Sequence, residues 1–142
     1  MGWDRTHRIC DDLMVVQLQE TGGLTAADVM HSRISTLPAS ATVGDLRAYF
    51  AESGSRKLAL LADGDRYAGA VSITDLTDDL DDAAPARDQA VTEPTIGPGS
   101  PAEEARELAL QSPALRLPVV NDAGELVGIV AIDDLRTRFC GT

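Results

Sequence analysis

The feature that most constrains the fold of this 142-residue chain is an internal duplication. The run 69–76 (GAVSITDL) is echoed by 128–135 (GIVAIDDL), and carrying this offset of 59 backwards without a gap matches residues 36–76 to 95–135. Ten positions are identical between the two copies, where about two or three would agree by chance at ordinary composition. The chain is therefore a tandem repeat, and its fold is built from two similar halves.

The first half reads as strand, helix, strand, strand, helix. A short strand is predicted over Ile34–Leu37, and Thr42 with Asp45 forms a capping-box pattern that opens an amphipathic helix. Two apolar runs joined across residues 63–64 (Asp-Gly) predict a hairpin. A second helix is predicted from Thr74.

The second half repeats this order. A strand is predicted at residues 95–96, a helix that starts at Ser100-Pro101, a hairpin over 117–131, and a closing helix from Asp133. Neither half can bury both faces of so small a sheet alone, so the halves are expected to pack about a pseudo-twofold axis. The predicted fold class is α+β (α/β), with two β-α-β-β-α repeats.

The predicted division has three parts: an N-terminal extension over 1–23, a first repeat over 24–83 and a second repeat over 84–142. Within the extension, helical spacing of apolar residues favours a helix over 4–20, although Met14–Leu18 is equally compatible with a short strand.

The charge balance excludes several classes of partner. With 12 basic and 23 acidic side chains, the net charge of -11 repels nucleic acid and anionic lipid. The sequence has no apolar run long enough to span a bilayer and no basic-then-apolar leader, so a cytoplasmic location is expected. Catalytic triads, metal-ligand spacings and glycine-rich phosphate loops are also missing from the sequence, which argues against an enzyme.

Three stretches carry a resemblance to a known family: residues 29–30 (Val-Met), residues 117–120 (Leu-Pro-Val-Val) and residues 69–76 with their echo. Together they resemble the tandem CBS-domain pair, or Bateman module, over about residues 24–138. The resemblance implies a regulatory module that binds AMP, ADP, ATP or S-adenosylmethionine in a cleft between the repeats. It also implies a homodimer that signals to a partner protein in trans. The alternative is a structural dimerisation module with no bound nucleotide.

The resemblance further implies which residues meet the ligand. Asp75 of the pattern Ser72-x-x-Asp75 would hold the ribose, as would Asp134 in the second repeat, where Ala131 replaces the serine. Lys57 or Arg116 would meet phosphate. The full predicted set is Ser35, Thr36, Lys57, Leu58, Ser72, Thr74, Asp75, Thr95, Ile96, Arg116, Pro118, Ile132 and Asp134.

This chemistry also follows from the residue types. A carboxylate can accept hydrogen bonds from two vicinal hydroxyls at once, and a cation attracts the phosphate at the other end of a nucleotide. Because the surface is acidic, a monophosphate or a magnesium-bridged nucleotide would bind better than a free polyphosphate. No cofactor or protein-bound metal is required.

Each predicted residue also has a purely structural interpretation. Ser72-x-x-Asp75 is equally a helix-capping pattern, and Lys57 and Arg116 could be solvated surface cations. The aspartate recurs in the second repeat while the hydroxyl does not, and this asymmetry favours a role for the carboxylate beyond capping.

Overall fold

The computed structural model describes residues 11–17, 22–54, 56–133 and 138–141. These residues group into two compact units, which we call the central unit (Ser35–Glu93) and the split unit (the described residues of Met1–Ile34 and Pro94–Thr142). The strands and α-helices of the described part are, in chain order, β1 (Asp11–Gln17), α1 (Ala26–Val29), β2 (Thr36–Pro38), α2 (Val43–Ala51), β3 (Leu58–Asp63), β4 (Arg66–Ser72), α3 (Ala102–Gln111), β5 (Arg116–Val120), β6 (Leu126–Ala131) and β7 (Arg138–Gly141).

The central unit is a three-stranded sheet in the order β2-β3-β4, with α2 packed against it. β2 runs parallel to β3, and β3 runs antiparallel to β4. The predicted hairpin is confirmed, and Gly64 in its turn has a φ of 62°, a conformation that favours glycine. Leu46, Leu61 and Val71 are fully buried in the core of this unit.

Helix α2 begins where the sequence predicts. The Thr42 side chain accepts from the Asp45 N–H at 3.2 Å, and the Asp45 carboxylate accepts from the Thr42 N–H at 3.0 Å. The next two N–H groups, of Val43 and Gly44, donate to the carbonyls of Ala84 and Asp82 at 2.8 and 2.9 Å. The first-turn donors that a helix leaves unpaired are therefore occupied, which ties α2 to the linker that follows the first repeat.

The split unit has two separate pairs of strands. β5 and β6 form the second predicted hairpin, and β1 pairs antiparallel with β7. Helix α3 buries Ala102, Ala105 and Ala109 and packs against α1 and β5. The strand predicted at residues 95–96 is reduced to a single parallel bridge between Ile96 and Val119.

Each repeat is completed by a segment that comes before the other repeat in the chain. In the split unit the residues around α1 pair with the second repeat, and in the central unit the linker pairs with the first. The matching bridges are Thr25 to Pro101 and His31 to Ile129 in the split unit, and Pro85 to Thr42 and Val91 to Ala70 in the central unit. The predicted repeats, 24–83 and 84–142, follow one another in the sequence, whereas the compact units are the central unit and the split unit defined above.

The glycine that opens each copy of the duplicated run makes this packing possible. A Cβ on Gly128 would lie 2.6 Å from the His31 carbonyl oxygen and 2.5 Å from Met30 Sδ. A Cβ on Gly69 would lie 3.0 Å from Ala90 Cβ, and Gly69 has a φ of 132°. The Gly128 site has no room for a side chain because the backbone at His31 crosses directly over the strand. At Gly69 the positive φ and the tight contact with Ala90 both favour glycine.

The strand registers of the two hairpins show that the ungapped alignment is shifted by one residue where it matches β3 to β5. In the central unit Leu58 lies opposite Ser72, and in the split unit Arg116 lies opposite Ala131. Because Ser72 and Ala131 are equivalent, Arg116 occupies the place of Leu58. The ungapped alignment, which matches Lys57 to Arg116, is therefore wrong at this position. The shorter connection before β5 contains Leu115, which has a φ of 55° that is unusual for a residue with a side chain.

Two helix predictions are wrong for the residues that the structure describes, and a third falls mainly outside them. Asp11–Gln17 form β1 instead of a helix, because β7 offers them a partner strand. The helix predicted from Thr74 is only a 3-10 turn over Ile73–Asp75, followed by turns through residue 84. For the closing helix predicted from Asp133, residues 134–137 lie outside the described part, and Arg138–Gly141 form β7.

His31 lies beside Gly128 and is partly buried. Its backbone makes two hydrogen bonds with Ile129, at 2.7 and 3.0 Å, and its Nε2 atom is buried with no hydrogen-bond partner among the described residues. Burial, together with the nearby Arg116 guanidinium, lowers the pKa of His31 below 6.5.

Substitution of Gly128 by alanine should destabilise the protein, because the added methyl group meets the fixed His31 carbonyl. Overpacking of this kind costs about 1–3 kcal/mol, which urea unfolding followed by circular dichroism can measure. Gly99→Ala is the matched control, because a Cβ at Gly99 has nothing within 4 Å. Equal unfolding midpoints for the two variants would contradict the crossing of the backbone over β6.

The lowered pKa of His31 predicts a loss of stability in acid. Above pH 6.5 the imidazole is neutral in both the folded and unfolded states, so it adds no pH dependence. As the pH falls below 6.5, the unfolded state takes up a proton that the folded state resists, and the free energy of unfolding decreases. Urea titrations between pH 8 and pH 5.5 should show this slope in the wild type and a flatter slope in His31→Gln. The same slope in both proteins would contradict it.

Candidate functional site

The predicted site residues of the first repeat gather at one end of the central sheet. β2 and β3 are parallel, so their first residues lie at the same end, and Leu58 at the start of β3 is opposite Ser72 at the end of β4. The Ile73 N–H donates to the Lys57 carbonyl at 3.0 Å, which holds the turn after β4 against the start of β3. The open sheet end, as we call it, consists of Ser35, Thr36, Lys57, Leu58, Ser72, Thr74 and Asp75.

The turn after β4 presents a polar group of side chains to solvent. Ser72 Oγ and Thr74 Oγ1 are 2.9 Å apart, and the Thr74 N–H points to Ser72 Oγ at 3.4 Å. Thr74 and Asp75 are exposed. Because only a three-residue turn follows Ser72, no helix dipole supports an anion at this point. Two hydroxyls and a carboxylate are nevertheless a suitable set for hydrogen bonds to a diol.

Arg47 fixes the loop that follows Asp75, a role that the sequence analysis missed. Its Nη2 donates to the carbonyls of Thr77 and Leu80 at 2.8 and 3.2 Å, and its Nη1 is paired with the Asp82 carboxylate. The guanidinium therefore ties the chain after Asp75 to helix α2. Identity of Arg47 with Arg106 in the duplicated unit was the only sequence signal for this arginine.

Within the same loop, Thr77 donates its hydroxyl hydrogen bond to the Asp79 carboxylate. This bond, with a further one from the backbone N–H of Asp79, holds the pKa of Asp79 below its usual value. The acidic side chains after Asp75 thus lie in turns, and not on the helix that the sequence predicts from Thr74.

The equivalent sheet end of the split unit is closed. Ile73 is 43% exposed in the central unit, whereas its counterpart Ile132 is 0% exposed and bridges to Phe139 of β7. Ala131, which replaces the serine, is also fully buried. The missing hydroxyl therefore corresponds to a position that the described residues cover.

Arg116 is 5% exposed, so the interpretation as a solvated surface cation is wrong. Its Nη1 donates to the carbonyls of Ala114, Leu115 and Ile132 at distances of 3.0 to 3.3 Å. These bonds hold together the connection before β5 and the end of β6. Arg116 and Ile132, both in the predicted set, are in direct contact.

The other predicted residues of the second repeat lie near this closed end. The Ile96 N–H donates to the Pro118 carbonyl at 3.1 Å, and both residues are buried, while Thr95 is partly exposed. Asp134 lies outside the described residues. Among the residues that are described, no group of three or more His, Cys, Asp or Glu side chains could hold a metal.

The comparisons with known proteins agree with this architecture. The CBS domain family matches residues 26–82 and 90–141, which is more than half of the chain. No curated protein sequence gives a significant match. None of the helices in the described ranges is long and apolar enough to cross a membrane.

Three solved structures illustrate the similarity of fold. The CBS pair domain of a putative Mg²⁺ transporter from Shewanella oneidensis has 23% identity and a TM-score of 0.66, covering 80% of this chain and 69% of its own. A CBS domain protein from Pyrobaculum aerophilum complexed with AMP has 25% identity and a TM-score of 0.66, covering 76% and 87%. The cytosolic domain of the Mg²⁺ channel MgtE in complex with ATP has 22% identity and a TM-score of 0.66, covering 83% and 50%.

The family match falls on the two copies found in the sequence, and the solved structures share their α+β fold. This chain belongs to the CBS domain family and carries two tandem copies of the domain.

Proposed function

We propose that the protein is a regulatory module that binds an adenosine-containing ligand at the open sheet end and signals to a partner protein. The observation that carries the proposal is the polar group of Ser72, Thr74 and Asp75 beside the start of β3, where Lys57 lies. Structures similar to this one include complexes with AMP and with ATP, which supports a nucleotide as the ligand class.

Each part of the ligand has a chemically suitable partner at this end. The Asp75 carboxylate can accept from both hydroxyls of a ribose, and Ser72 or Thr74 can donate to its oxygens. Lys57 immediately precedes β3 at this end, and its ammonium would attract phosphate. Ser35 and Thr36, at the start of β2, would border the base.

Electrostatics favours ligands of low negative charge. The chain carries a net charge of -11, and the loop after Asp75 adds further carboxylates near the site. AMP or S-adenosylmethionine should therefore bind more tightly than free ATP, and magnesium should improve ATP binding by neutralising part of its charge.

A regulatory role is supported by the residue types of the open sheet end, where hydroxyls and a carboxylate suit a ribose diol and a lysine suits a phosphate. One observation favours the alternative of a structural module with no nucleotide: the equivalent end of the split unit is closed by Ile132. The same binding experiment separates the two.

Isothermal titration calorimetry of the purified protein should show AMP binding that Asp75→Asn weakens about tenfold, because a charge-assisted hydrogen bond to the ribose is lost. Asp78→Asn is the matched control, since Asp78 is an exposed carboxylate three residues further along the same loop. It should leave the affinity for AMP nearly unchanged.

Two outcomes would contradict the proposal. Absence of binding for AMP, ADP, ATP with and without magnesium, and S-adenosylmethionine would favour the structural module. Equal weakening by Asp75→Asn and Asp78→Asn would show that the loss of affinity is not specific to Asp75, and the proposed contact between its carboxylate and the ribose would be refuted.

The resemblance to CBS pairs also predicts a homodimer, and the cytoplasm stays the predicted location. Sedimentation equilibrium at micromolar concentration should give twice the mass of one chain. A single-chain mass at every concentration tested would refute the dimer without affecting the nucleotide site.

A further inference from the structure

We propose that the central unit has a second small-molecule site, at the opposite end of its sheet, which takes an amino acid with a small apolar side chain. A cavity of about 470 Å³ lies there, and its walls include Pro38, Ser40, Asp63, Gly64, Pro85 and Arg87. Its volume is within the range of about 300–1,000 Å³ that is usual for ligand sites.

The topology separates this cavity from the open sheet end. Pro38 and Asp63 are the last residues of the parallel strands β2 and β3, whereas the open sheet end is formed where these strands start. The third wall is the linker, which the bridge between Pro85 and Thr42 brings to this end.

The equivalent corner of the split unit is held by one more backbone hydrogen bond. There the linker-like segment is joined to the loop before α3 by two bonds, Ala26 N–H to Ser100 O at 2.8 Å and Ala27 N–H to Pro98 O at 3.0 Å. In the central unit the bond from Ala86 N–H to Ala41 O, at 2.8 Å, matches the first. The second has no counterpart among the backbone bonds of the described residues.

The residue at the position that lacks the second bond also differs between the two units. Arg87 stands where the split unit has Ala27, because Pro85 and Thr25 hold equivalent bridges. One repeat therefore closes this corner with a backbone bond and a small residue, and the other leaves a cavity with a guanidinium on its wall.

The charges on the walls define the ligand. The exposed Arg87 can hold a carboxylate through two parallel N–H···O bonds, and the exposed Asp63 can accept from an ammonium group. Within the described part of the chain, neither takes part in an ion pair with another residue. Pro38 and Pro85 offer an apolar surface for a short side chain, and the Ser40 hydroxyl can complete the hydrogen bonding of the carboxylate.

Other simple ligands suit this cavity less well. A phosphate would be repelled by Asp63, and a metal cation or a polyamine would be repelled by Arg87. A zwitterion can pair with both Arg87 and Asp63. It is neutral overall, so the acidic surface of the chain does not repel it.

The test is a titration of the full chain, labelled with ¹⁵N, with glycine, alanine, valine, leucine, proline and phenylalanine, followed by NMR. At least one apolar amino acid should shift the amide signals of Ser40 and Gly64 in a saturable way. Arg87→Gln and Asp63→Asn should each weaken that binding about tenfold or more, because each removes a charge-assisted hydrogen bond.

Matched controls are Asp65→Asn, an exposed carboxylate in the same hairpin turn, and Arg33→Gln, an exposed arginine; neither residue is part of the cavity wall. Both should keep the wild-type affinity. AMP affinity should be unchanged in Arg87→Gln, so that failure of this site and failure of the nucleotide site can be told apart.

Absence of saturable shifts at Ser40 and Gly64 with every amino acid at about 10 mM, a concentration on the order of weak metabolite affinities, would overturn the proposal. So would amino-acid binding that Arg87→Gln and Asp63→Asn leave intact. A loss of AMP and amino-acid affinity together in Arg87→Gln would also overturn it, because the two ligands would then share one site.

Discussion

The architecture depends on a backbone that crosses directly over a strand in each half of the protein. In the split unit His31 and Ile129 exchange both hydrogen bonds at 2.7 and 3.0 Å, and in the central unit Val91 and Ala70 do the same at 2.9 and 2.8 Å. This approach leaves no space for a Cβ at Gly128, and at Gly69 a side chain would meet Ala90 closely at a strained positive φ, which accounts for glycine at the same place in both copies of the duplicated unit. The bridges join each repeat to the segment that precedes the other repeat, so the central unit is one continuous stretch of chain and the split unit combines residues from both ends of the chain.

A duplication gives two copies of every feature, and the two copies of the sheet end differ in which side chains are accessible. In the split unit β7 and the buried Arg116 cover the sheet end, and the residue that would supply a hydroxyl is a buried alanine. In the central unit the residues after Asp75 form turns that Arg47 holds in place, and Ser72 and Asp75 stay accessible. One end of one sheet therefore carries accessible hydroxyl and carboxylate groups, on which the proposed nucleotide site depends.

Much of the fold could be predicted because local chemistry and packing agree along most of the repeat. The capping box at Thr42, both hairpins and the apolar stripe of α3 follow from short-range patterns that packing reinforces. Predictions were wrong where a distant partner decides the outcome. β1 forms because β7 lies beside it, and the chain after Ile73 turns where Arg47 holds its carbonyls, so neither could be found from periodicity.

The site was predicted less completely than the fold for a related reason. The duplicated run identified the polar turn at Ser72–Asp75, but the one-residue slip before β5 removed the supposed match between Lys57 and Arg116. A shift of one residue over a short strand changes few of the matches that an ungapped alignment counts. It nevertheless assigns to each position of the strand the side chain of the neighbouring residue. The burial of Arg116 and the bonds made by Arg47 depend on side-chain geometry, for which the sequence has no local signal.

The central claim is that the ligand occupies the open sheet end of the central unit. A ¹H–¹⁵N correlation spectrum of the full chain, recorded during addition of AMP, tests it most directly. The account predicts saturable shifts centred on the amides of Thr36, Ser72, Thr74 and Asp75. Saturable shifts centred elsewhere, with these four amides unmoved, would contradict it.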